Sequence, residues 1–167
     1  DAVEGLYDYL NQYVASQYNK ENGQENNDMV ELETSFIFGH THSPFCLRTP
    51  SKSGAFKKSF ARFSKPLDLY NTGGWVIEDT EPNLTHGAFL VVIDENLECA
   101  AIDMYMEKAD GHESPLQVLS AAGQENDLVL YCRKLINEDC FAKFSKDAAF
   151  AVADRIDFRE KFAEKFK

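Results

Sequence analysis

The sequence predicts an α+β fold, and three observations carry that prediction. Apolar residues recur at helical spacing near both ends of the chain. The middle holds short apolar runs of strand length, broken by turn residues. Strict β-α-β alternation is missing, as is a glycine-rich nucleotide fingerprint. At 167 residues the chain is long enough for one domain with its own core, or for one domain and an extension.

Taken in order, Val3, Leu6, Tyr7, Leu10, Tyr13, Val14 and Tyr18 place an apolar stripe on a helix over 1–20. The polar stretch "NKENGQENND" (19–28) ends it as a loop. "ELETSFIFG" then switches to a strand, and its consecutive Phe36, Ile37 and Phe38 suit a strand covered on both faces, as in a layered sandwich. Gly39 releases the chain into irregular backbone. A basic loop over 43–66 follows, then a strand in "LDLYNTGGWVIE" interrupted by an Asn-Thr-Gly-Gly turn. "AFLVVIDENLECAAIDMYM" reads as a hairpin, 88–93 against 97–106, turning at 94–96. From Ser114 the pattern becomes helical, with Ser114 as cap and Pro115 in the first turn. Helix continues through "DLVLYCRKLI" to the end, where Phe158, Phe162 and Phe166 recur every four residues beside Phe150 and Ile156. That row reads as core packing or a dimer face rather than a cofactor pocket. Two parts are expected, 1–112 and a helical extension over 113–167.

Charge limits the partners. A net charge of −11 argues against nucleic acid, whose phosphates are met by clustered Lys and Arg. The distribution is uneven, however. No acid lies between Glu33 and Asp68, a stretch that holds Arg48, Lys52, Lys57, Lys58, Arg62 and Lys65, which leaves −17 on the rest of the chain. Such an island is either a solvated loop or the place where an anionic ligand is met.

No apolar stretch is long enough to cross a bilayer, and no secretory pattern opens the chain. The four cysteines lack C-x-x-C spacing, which points to a reduced, cytoplasmic protein. The sequon Asn83-Leu84-Thr85 is read as unused. The chain opens at Asp1, without Met and already inside a helical pattern, so an upstream part is expected to be missing, and an N-terminal address could have gone with it.

The candidate chemistry lies in Gly39-His40-Thr41-His42, at the end of the first strand. Side chains two apart on extended backbone point the same way, so His40 and His42 can face one site. They can share one metal ion, or each can hold one ion of a close pair.

"FIFGHTHSPF" resembles the last signature of the calcineurin-like metallophosphoesterases. "LYNTGGWV" resembles the strand that follows in that family, and "AFLVVIDENLECAAIDMY" the hairpin that completes its second sheet, so the likeness covers about 30–106. It implies the C-terminal portion of a four-layer α/β/β/α sandwich and a hydrolase that opens phosphate mono- or diesters with a metal-activated hydroxide. The complete enzyme would use two divalent ions of the Mn, Fe or Zn type, with His40 a ligand of one and His42 of the other. Arg48 or Lys52, on the loop after the motif, would hold substrate phosphate.

The family's other ligand motifs (Asp-x-His, Gly-Asp, Gly-Asn-His and a lone His) belong upstream of Gly-His-x-His, and the 38 residues here contain none of them. Asp110-Gly111-His112 stands on the wrong side, and His86 in "NLTHG" reads as a surface histidine. A phosphorylated small molecule is the expected substrate, for an enzyme completed by its N-terminal half or by a second copy and inactive as this chain alone. The alternative is a non-catalytic binding or assembly module built on a remnant of that fold.

Overall fold

A computed structural model describes residues 2–39, 41–49, 60, 62–76, 83, 85–107, 116–121, 123 and 125–165. The fold is mixed α+β, with helices at both ends and two three-stranded sheets between them.

The N-terminal helix is continuous but changes pitch. Helix α1 (Ala2–Asp8) passes into a π-helical segment (Tyr9–Val14) and then into α2 (Ala15–Glu21). A π turn widens the helix and frees backbone groups from the usual ladder, and here one side chain takes them up. Arg62 donates from Nη1 to Asn11 O (3.2 Å) and to Ser16 Oγ (3.1 Å), and from Nη2 to the carbonyls of Asn26 and Asp28. Its backbone N–H meets Asn11 Oδ1 (3.3 Å), while Asn11 Nδ2 reaches Tyr7 O (3.1 Å). One guanidinium thus fastens the wide turn to the loop after α2.

Strands β1 (Ser35–Phe38), β2 (Phe45–Arg48) and β3 (Asp68–Asn71) form the first sheet in the order β1-β3-β2. Strand β1 runs parallel to β3, with Phe38 opposite Asn71, and β2 runs antiparallel to β3, with Phe45 opposite Asn71. Strand β2 lies where the sequence reading placed the start of a loop. Its four residues carry no turn signal and end in Arg48, so the basic character hid a short strand. Strand β3 stops at Asn71, and the Thr72-Gly73-Gly74 segment beyond it is irregular.

Strands β4 (Gly87–Ile93), β5 (Cys99–Met106) and β6 (Gln117–Leu119) make an antiparallel second sheet, with the expected hairpin at its centre. The second arm starts two residues later than the pattern indicated, because Leu97 takes φ 64° in the turn. The register shifts between Ala88 and Phe89, which oppose Tyr105 and Asp103 and leave Met104 as an extra residue on β5. Ala88 packs with Tyr105, Val152 and Ile156, whereas Phe89 packs with Tyr70 and Ala101. Ser114 and Pro115 lie outside the described residues, but Gln117–Leu119 is a strand, not the first turns of a helix. Pairing with Ala101–Asp103 overrides its weak local preference.

Helix α3 (Asp127–Leu135) is capped by Asn126, whose Oδ1 accepts from Val129 N (2.7 Å), and is followed by α4 (Asp139–Glu164). Three apolar contact zones stack through the molecule. Leu10, Val14 and Tyr18 from the N-terminal helix meet Leu67, Leu69 and Phe36 of the first sheet. Tyr70 and Cys46 meet Phe89, Cys99 and Ala101 of the second. Ala100 and Ile102, on the other face of β5, meet Leu128, Val129 and Cys132 of α3. Strict alternation along β5 therefore serves two interfaces at once. Tyr70, fully buried between the sheets, donates its hydroxyl to Cys99 O (3.2 Å) and accepts from Ala121 N (3.3 Å). Burial pushes that phenol up to about 12.

Helix α4 buries only Ser145, Val152 and Ile156. Phe158 and Phe162 stack on each other (6.3 Å) while remaining more than half exposed, and Phe150 is more exposed still. These residues do not serve as core within this chain; Phe166 lies outside the described residues. Among the described residues no helix is long and apolar enough to cross a membrane.

Two outcomes follow from this packing. Arg62→Ala should destabilise the fold by about 3 kcal/mol in urea titration, since it removes several charge-assisted bonds at once. Arg62→Lys should recover only part of this, because one ammonium cannot span the same acceptors. The thiols should also differ in reactivity. Burial pushes Cys46 up to about 11, aided by the Asp68 charge, and raises Cys99 and Cys132, whereas Cys140 is exposed. A thiol reagent at pH 8 should therefore titrate one cysteine quickly in the native protein and four after denaturation.

Candidate functional site at the tip of the first strand

His42 sits just beyond the C-terminal end of β1, in a corner built by the segment that follows β3. Asn71, fully buried, donates from Nδ2 to Thr41 Oγ1 and to Ser43 O (2.9 Å), and its Oδ1 accepts from Gly73 N (3.2 Å). The asparagine of Asn-Thr-Gly-Gly thereby pins the residues on either side of His42 and shapes its own turn. Gly73, at φ 70°, adopts a conformation that L side chains rarely take. Gly74 forms the floor under the histidine, for a Cβ there would come within 2.8 Å of His42 Cδ2 and 3.4 Å of Nε2.

The second sheet closes the corner. Gly87 N donates to His42 O (2.9 Å), Gly74 N donates to Gly87 O (3.0 Å), and Phe89 N to Thr72 O (2.8 Å). Against this backbone, His86 stands edge-on to His42, with ring centroids 5.8 Å apart and an interplanar angle of 89°. The sequence reading took His86 for a surface histidine, yet its side chain is only 18% exposed. Its Nδ1 faces Glu107 Oε1 at 3.7 Å, and Glu107 is buried to 1% exposure. Glu107 Oε2 accepts from Asn83 N (3.0 Å), and Glu107 N donates to His86 O (2.9 Å). Asn83 Nδ2 lies 3.0 Å from His86 Nε2, and Ser43 Oγ lies 3.3 Å from Thr85 Oγ1. The signal for this pairing was faint in the sequence. It lay only in His86 and Glu107 flanking the two ends of one hairpin, which antiparallel pairing brings together.

The other expected site residues are placed differently. His40, Lys52 and the Asp110-Gly111-His112 triplet lie outside the described residues. Arg48 is at the far end of β2, where Phe45 marks the end near His42. Three residues of extended chain separate those ends by about 10 Å. There its Nε and Nη2 grip Asp68 Oδ1 (2.6 Å) and Oδ2 (2.8 Å), a two-point pairing that raises the Arg48 pKa further. Lys65 lies near Glu33 (3.7 Å), and Arg62 is taken up by the N-terminal helix.

The donor set admits a limited chemistry. His42 and His86 offer two neighbouring imidazoles, and Glu107 Oε1 is a buried oxygen with no hydrogen-bond partner among the described residues. Among those residues no group of three or more His, Cys, Asp or Glu is arranged to hold a metal ion. The described donors are therefore part of a coordination shell at most, and three or four are needed. Comparison with family models, with curated proteins and with solved structures finds no match.

The packing under His42 gives a direct test. Gly74→Ala should force the imidazole out of its present position while costing the fold little more than a local adjustment, because the atom in the way belongs to a side chain. In proton NMR the His42 ring signals should shift strongly in this variant.

Proposed function

We propose that this chain carries the histidine end of a metal-dependent phosphoesterase centre, within the C-terminal portion of a four-layer α/β/β/α sandwich. The observation that carries the reading is the seat of His42: an imidazole just past the carboxyl end of β1, a half-buried edge strand with Ile37 exposed, seated over Gly74 between the two residues that Asn71 pins. Ligand sites in sheets with parallel strands favour that end. The stacking of helix on sheet, sheet on sheet and sheet on helix supports the layered architecture. His40 and His42 would each ligate one of two divalent ions in the complete enzyme, of the Mn, Fe or Zn type, with the other ligands supplied by polypeptide outside the described residues. The substrate would be a phosphorylated small molecule. Lys52 remains the basic residue proposed to meet its phosphate, since Arg48 is already paired with Asp68. The four unpaired thiols favour a reducing, cytoplasmic setting.

One feature favours a second reading, a non-catalytic assembly module. Phe150, Phe158 and Phe162 leave α4 with apolar surface that is more than half exposed among the described residues. In that case the protein would be a metal-free oligomer held through α4.

Metal analysis separates the two. The protein purified with its upstream sequence should contain close to two equivalents of transition metal, lose them to a chelator, and hydrolyse an aryl phosphate only when reloaded. His40→Ala and His42→Ala should each lower kcat/KM on the order of 100-fold or more. Full activity in both variants, or a stable metal-free protein, would rule out the hydrolase reading.

A further inference from the structure

We propose that His86 is a positioning residue for His42, held by Asn83 and Glu107 in a single tautomer, with its proton on Nδ1. The inference rests on the reading of His42 as a metal ligand, and it concerns residues that the Gly-His-Thr-His signature does not include.

The tautomer follows from the hydrogen bonds. Asn83 Oδ1 accepts from Thr85 N (3.1 Å) and from Thr85 Oγ1 (2.8 Å), which fixes the amide with its oxygen toward Thr85 and its Nδ2 toward His86. That NH2 group can only donate, so His86 Nε2, 3.0 Å away, must accept. An imidazole that accepts at Nε2 carries its proton on Nδ1, and Nδ1 faces Glu107 Oε1. The two atoms stand 3.7 Å apart, too far for a hydrogen bond, so the buried oxygen acts on that proton only as a nearby acceptor. A carboxylate behind a histidine is the common way to fix ring orientation next to a metal site. Here the fixed ring meets its neighbour at 89°, with centroids 5.8 Å apart.

The geometry also explains why Glu107 is tolerated in the interior. Its Oε2 is held by Asn83 N, its own N–H closes on His86 O, and Oε1 lies 3.7 Å from His86 Nδ1. Residues 83, 86 and 107 therefore lock one another, and the result is a rigid wall for His42. This is preorganisation by packing and hydrogen bonds, and His86 need not touch metal or substrate to provide it.

Long-range nitrogen–proton NMR of the imidazoles tests the proposal on the metal-free full chain. His86 should show the Nδ1–H pattern alone, and His42 one sharp set of ring signals. Asn83→Ala, at an exposed position, removes the donor to Nε2. It should convert His86 to a mixture of tautomers and broaden the His42 signals, as should His86→Ala, with backbone spectra unchanged away from the corner. A proton on His86 Nε2 in the wild-type chain, or His42 signals indifferent to both substitutions, would overturn the inference. Either result would leave the metal reading to be judged by metal content alone.

Discussion

The close approach of two backbones at Gly73, Gly74 and Gly87 is the constraint on which the site depends. A Cβ on Gly73 would collide with Gly87 O, one on Gly87 with Tyr105 O, and one on Gly74 with the His42 ring. At this point the first sheet hands over to the second, through the Gly73–Ala88 bridge. Because no side chains intervene, the hydrogen bonds Gly74 N to Gly87 O and Gly87 N to His42 O can form at about 3 Å. The loop after β1 is thus tied to the hairpin rather than left free on the surface. Tyr105 adds a lateral strut, donating its hydroxyl to Gly74 O (2.7 Å) with Trp75 lying over its ring.

From that handover the layers follow. The same hairpin that closes the His42 corner presents alternate residues of β5 to Tyr70 on one side and to α3 on the other. The extra residue Met104 on β5 brings Tyr105 level with Ala88 on the side where α4 docks through Val152 and Ile156. A shift in the handover would therefore disturb the histidines and both sheet interfaces together. This coupling accounts for the mixture of very small residues and large aromatics in so short a stretch of sequence.

The hairpin and the first helix were legible in the sequence because their signals are local: a period of two around a turn, and a 3.6-residue stripe. Strand β2 and strand β6 were not. Phe45–Arg48 and Gln117–Leu119 are too short to show a period, and what makes them strands is pairing with β3 and β5. His42 was legible because the glycine and the apolar run before it mark a strand end. His86 was not, since 44 residues separate it from His42 and only the fold brings the rings together. The same blindness affected the basic island. From charge alone Arg48 and Arg62 looked available to an anion, but Asp68 and the carbonyls of the π turn lie close to them only in three dimensions.

That last point bears on how an anionic substrate could be met at all. The three described cations of the island, Arg48, Arg62 and Lys65, each face an acid or a set of carbonyls supplied by the protein. On a chain of net charge −11, a phosphate approaching the His42 corner meets a background that repels it. Glu107, buried behind His86, supplies no positive charge there. Under the phosphoesterase reading, that positive charge would come from bound metal ions together with Lys52, and the histidines matter as the fixed lone pairs that would keep those ions in place. The rigidity of the corner, with Asn71 on one side and Asn83, His86 and Glu107 on the other, is then what the arrangement needs most: a ligand displaced by an ångström would loosen the ions and weaken their attraction for the substrate.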